Sequence, residues 1–168
     1  MFKVVGWSYQ CCREIHLSLP TTESAMAFIS DLVIAGSKEA EAISLSSRPA
    51  NSWPTLEGKG VDPIKLATLY CAATNTAYSS SVVGEFPLVG ENKNEGRWVL
   101  EFSSKVLNAI ASIQDGDVAS IASIWASTEE LEMDRWSVEF SAQFIMDLTA
   151  HAKRAQSEGS SLFLRMSA

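Results

Sequence analysis

Histidine and cysteine are scarce: the 168 residues hold two histidines and three cysteines. His16 follows Cys12 by four positions, which on an extended segment leaves thiol and imidazole about 13 Å apart, beyond proton-transfer reach. Only a helix would bring that pair together. His151 stands far from any cysteine or carboxylate motif. Cys11 and Cys12 are adjacent and poorly placed to bond each other, and no C-x-x-C occurs, so neither a disulfide framework nor a zinc site is implied. With Cys71 they read as structural thiols. Glycine-rich phosphate loops are missing, in both the G-x-G-x-x-G and the G-x-x-x-x-G-K-[ST] forms. So are G-x-S-x-G and H-E-x-x-H. No apolar run approaches the ~18 residues of a membrane span, because Ser30, Asp31 and Gly36 interrupt the best one. The N-terminus lacks the basic-then-apolar build of a signal peptide. These absences point to a cytoplasmic chain off the membrane, and they name no cofactor, metal or catalytic residue.

Acidic charge is present and unevenly placed. The formal net charge is −7, which argues against a nucleic-acid partner, for which a basic face is expected. Ten acids and three bases lie between Glu85 and Asp134, so this segment carries the whole net charge. Its densest part is Thr128-Glu129-Glu130-Leu131-Glu132-Met133-Asp134, flanked by Trp125 and Trp136. A calcium loop needs acids at set positions around a turning glycine, and none is here. Two readings remain: a solvated face that keeps the chain soluble, or a surface that steers a basic protein partner. In the second, Glu129, Glu130, Glu132 and Asp134 steer and Trp136 anchors, placed before a helix cap at an exposed corner.

Along the chain, 2–9 and 15–19 have strand composition or period-2 alternation. Pro20 ends the second. Thr21 or Thr22 then caps a predicted helix that buries Ala25, Met26, Phe28, Ile29, Leu32 and Val33, stopped at Gly36. A short helix is expected over 38–45. Pro49, Pro54, Gly58 and Gly60 make 46–60 a surface loop, pinned by Trp53. Asp62-Pro63 opens a central helix. A polar loop spans 90–96 before a strand at 97–102. Val106, Leu107 and Ile110 mark one helix; Val118, Ile121, Ala122 and Trp125 stripe the next. Ser127 and Glu130 have capping-box spacing. Ser137 caps the last long helix, with Phe140, Phe144, Ile145, Leu148, Ala152 and Ala155 inward and Gly159 as its stop. Residues 162–166 form a terminal strand, paired with 97–102.

Arg97-Trp98-Val99-Leu100-Glu101-Phe102, then Trp125-Ala126-Ser127-Thr128-Glu129-Glu130, then Trp136 and Gly159 to Ser167 are similar to a group of small bacterial proteins of unknown function. These share a strand–helix–W-A-x-T-E-E–helix–strand pattern. The resemblance covers the chain from about Val61 onward, implies a bacterial cytosolic protein, and supplies no activity or site.

The expectation is a single α+β domain over 1–168, mostly helical with a small sheet. Its function is read as non-enzymatic binding of a protein partner through the acidic surface, in an immunity- or adaptor-like role. The alternative is a small enzyme or small-molecule binder whose site forms only in the fold.

Overall fold

The sheet is assembled around the strand that comes latest in the sequence. Five antiparallel strands, Ile29–Ala35 (β1), Thr55–Glu57 (β2), Leu88–Asn92 (β3), Arg97–Glu101 (β4) and Ser161–Ser167 (β5), lie in the order β2-β1-β5-β4-β3. β5 pairs with β1 from Ile29↔Ser167 to Ala35↔Ser161, and with β4 from Arg97↔Ser167 to Glu101↔Phe163. The coordinates are a computed structural model that describes residues 28–168. The expected strands at 2–9 and 15–19, the cap at Thr21 or Thr22, and Cys11, Cys12 and His16 lie outside those residues.

Seven helices are found among the described residues: Ala40–Leu45 (α1), Pro63–Thr74 (α2), Ser80–Val83 (α3), Ser104–Ala111 (α4), Val118–Ala126 (α5), Glu129–Met133 (α6) and Val138–Ser157 (α7). The helix-dominated α+β class expected from periodicity is the one observed. Several starts are made by the caps the sequence offers. Asp62 accepts from the Lys65 amide at 2.8 Å with Pro63 in the first turn, and Ser137 accepts from the Phe140 amide at 3.1 Å. The spaced pair Ser127 and Glu130 forms no capping box. Thr128 is the residue before α6, and its hydroxyl donates back to the Trp125 carbonyl at 2.8 Å.

The predicted helix over Ile29, Leu32 and Val33 is a strand instead. Leu32 and Val33 are both fully buried, one in each of the two cores on opposite faces of the sheet. Leu32–Ala35, covered on both faces, reads as a continuous apolar run, and a run of so few residues also fits helical spacing. Tertiary burial decides. The expected polar loop at 90–96 is a hairpin: Leu88–Asn92 pairs with Arg97–Glu101, and Lys93–Glu95 makes the turn. Gly90 is required here, since a Cβ would sit 2.7 Å from the Ala40 carbonyl oxygen of α1. Residues 46–60 contain a 3-10 turn and the edge strand β2.

One sheet face carries the main core. Leu32, Ile34, Leu100, Leu162 and Leu164 meet Leu66 and Leu69 of α2, Ile110 of α4, Trp125 of α5, and Phe144, Ile145 and Leu148 of α7. The other face has a smaller core in which Val33, Ala35, Val99 and Phe163 meet Ala40 and Ile43 of α1. Trp53 seals that cluster, and its indole N–H donates to Glu39 Oε1 at 3.1 Å.

Candidate functional site

The acidic knot forms the corner between α5 and α7, and its shape follows from one turn. The Trp136 amide donates to the Leu131 carbonyl at 3.0 Å and the Arg135 amide to the Glu132 carbonyl at 3.0 Å. These are the two bonds of a Schellman ending, with Arg135 in the left-handed position at φ 58°. The motif turns the chain so that Trp136 packs against α5 and α7. Its ring meets Trp125 at 5.5 Å, Phe140 at 4.6 Å and Phe144 at 5.4 Å, each edge to face, the arrangement that ring quadrupoles favour. Trp125 is fully buried beneath it, its indole N–H shared between the Lys65 carbonyl (2.9 Å) and Thr68 Oγ1 (3.1 Å).

Trp136 is thus half-buried in an aromatic cluster and not at an open corner as expected. The exposed apolar groups beside it are Met133, 75% exposed, and Phe140, 42% exposed. Phe140 was expected inward. It lies in the first turn of α7, ahead of the part of the helix that the core covers, and the helical period alone carries no signal of that. Phe140 also lines a groove of about 300 Å³ with Leu56, Lys59 and Phe144, edged by Glu57 and Asp147.

The four acids divide into two roles. Asp134 pairs with Lys65, whose side chain is only 7% exposed and also donates to the Gly60 carbonyl at 2.9 Å. Glu129, Glu130 and Glu132 lie on α6 with Leu131 as their buried neighbour. Glu130 and Glu132 form no salt bridge among the described residues. Glu139 adds a carboxylate nearby. Hydrogen bonds from its own amide and from the Ser137 hydroxyl hold its pKa below the usual range, so it stays ionised at neutral pH. Of the six other acids of the 85–134 segment, three are salt-bridged: Glu85 with Lys105, Glu91 with Lys93, Glu95 with Arg97.

A second concavity, of about 390 Å³, opens on the α1 side of the sheet where β1, β4 and β5 run past the end of α1. Arg48, Arg97 and Arg165 line it together with Asp31 and Glu95. Arg165 donates to Asp31 Oδ2 and to the Ser46 carbonyl, each at 2.9 Å, and Arg97 donates to the Leu45 carbonyl at 3.1 Å. Two cations thus satisfy the C-terminal carbonyls of α1. Burial raises the Asp31 pKa and lowers that of Arg165, and in both cases it outweighs the attraction of the partner. Nothing in the sequence brought these arginines together, because they come from separate parts of the chain.

His151 is half-buried on α7, with Nε2 3.0 Å from the Leu32 carbonyl, and lines neither concavity. Cys71 is buried. No group of three metal-ligating side chains occurs among the described residues. No helix there is long and apolar enough to cross a membrane. No family model, no curated protein and no solved structure matches the chain.

Proposed function

We propose that the chain is a non-enzymatic module that docks a basic protein partner on the corner formed by α6 and the start of α7, in an immunity- or adaptor-like role in a bacterial cytoplasm. The observation that carries this reading is the occurrence of exposed Met133, at the end of α6, and exposed Phe140, in the first turn of α7, at the corner whose α6 bears the carboxylates of Glu129, Glu130 and Glu132. Buried aromatic area anchors an interface, and the acids around it set encounter rate and salt dependence. Trp136 braces Phe140 from beneath through their 4.6 Å contact. The groove beyond Phe140 adds an apolar floor of Leu56 and Phe144, with a rim where Glu57 pairs with Lys59 and Asp147 accepts from Gln143. It suits an apolar side chain of the partner. Asp134 belongs to the corner's construction, tied to Lys65, and not to its steering charge.

The test starts from a partner captured from the native host and identified by mass spectrometry. Lysines at Glu129, Glu130 and Glu132 should slow association with that partner and flatten its salt dependence, with thermal stability nearly unchanged. Phe140→Ala should raise the dissociation rate. If the triple variant associates at the wild-type rate at low salt, the knot is a solvated face and the docking reading falls.

A further inference from the structure

The sheet face on the α1 side is built in two halves. Towards one end Val33, Val99 and Phe163 form the apolar floor under α1. Further along the same strands the inward positions pass to Asp31, Arg97 and Arg165, which line the crevice of about 390 Å³. Packing does not demand this. A buried ion pair is often replaced by apolar residues without loss of stability, and Phe163, two residues before Arg165, shows what the position's neighbour on that face accepts. Arg165 is 3% exposed, and its Nε is buried with no hydrogen-bond partner among the described residues. Such an orphaned donor costs free energy unless something pairs with it.

We propose that this crevice binds a small multi-oxygen anion, of the phosphate-monoester or di- and tricarboxylate class, held by Arg48, Arg97 and Arg165. Guanidinium groups recognise such anions through paired, charge-assisted N–H donors in a fixed fork. Of the chain's six arginines, three meet here, in a protein whose net charge is −7. The two lining side-chain acids are already engaged, Asp31 by Arg165 and Glu95 by Arg97. Arg48 is exposed and forms no salt bridge among the described residues, so its guanidinium is open to a ligand. Asn51 and Ser167 add neutral donors around it. The volume lies in the range of small-ligand sites. The bonds to the Leu45 and Ser46 carbonyls hold the arginines in place and use only part of their donor sets.

The test titrates the full chain with inorganic phosphate and, separately, citrate, at constant ionic strength with chloride as reference, by calorimetry and by the NMR signals of arginine Nε–Hε groups. Saturable binding of either anion, with shifts at Arg165 or Arg97, is expected; which anion binds separates the phosphate from the carboxylate source. Arg48→Gln should weaken that binding about tenfold or more, the loss of one charged hydrogen bond, while the free variant melts as wild type because Arg48 is exposed and unpaired. Arg165→Gln should abolish binding. It also loosens α1, so Arg48→Gln is the deciding variant. Absence of saturable binding by both anions, or equal binding by Arg48→Gln, overturns the proposal.

Discussion

Asp134→Asn isolates the ion pair that holds the acidic corner to α2. Lys65 is the buried member, with 7% of its side chain exposed, whereas Asp134 is 47% exposed. Two unit charges in contact are worth about 1 kcal/mol in water and about 4 kcal/mol at the effective dielectric near a protein surface. Removing one partner of a fully buried pair costs about 3–5 kcal/mol, because the other charge is stranded. Two features reduce that figure here: water already screens the carboxylate, and the ammonium keeps its bond to the Gly60 carbonyl. The expected loss is therefore about 1–3 kcal/mol. Urea unfolding followed by tryptophan fluorescence measures it, since Trp125 and Trp136 flank the corner. The same substitution in a Lys65→Met background should cost less than about 0.5 kcal/mol, because there is then no buried cation to strand. Wild-type stability of Asp134→Asn, or an equal loss in both backgrounds, would refute the assignment.

Three further outcomes are expected. Leu148, fully buried on α7 against the sheet, should cost about 2–5 kcal/mol as alanine, and an unchanged urea midpoint would remove it from the core. Arg135→Gly should stabilise by about 0.5–1 kcal/mol by relieving the left-handed strain at φ 58°; a lower melting temperature would mean that the arginine side chain holds the turn. Burial of His151, more than any other influence, lowers its pKa below 6.5 in the folded chain. The unfolded chain then takes up that proton first, so stability present above pH 6.5 is lost as pH falls through the folded value. His151→Gln should remove that part of the slope between pH 8 and 5, and a slope identical to wild type would contradict it.

Much of the framework could be read directly from the residues. Asp62-Pro63 and Ser137 announce helix starts through their own hydrogen bonds, and the stripe ending at Trp125 is long enough to fix a period. The expected pairing of 97–102 with 162–166 is found, and the second partner of that terminal strand, β1, was missed. β1 was misread because its second half, Leu32–Ala35, is buried on both faces and so loses the alternation that marks a strand. The corner was half legible: its charge is local in sequence, but the burial of Trp136 and the exposure of Phe140 depend on where α7 leaves the core. The arginine crevice was not legible at all, since the Arg165 to Asp31 contact joins residues 134 positions apart.

That separation also bears on how the chain reaches this state. β1 and β4 touch only through β5, so the pairs β1–β2 and β3–β4 can form early but cannot join into one sheet until residues 161–167 have been synthesised. During translation the helical segments can form locally, but the apolar faces of β1 and β4 must wait without their central partner. Closing contacts over so long a stretch is the slow class of folding event. A nascent chain of this protein therefore holds two separate strand pairs until late, and the strand at residues 161–167 joins them into one sheet.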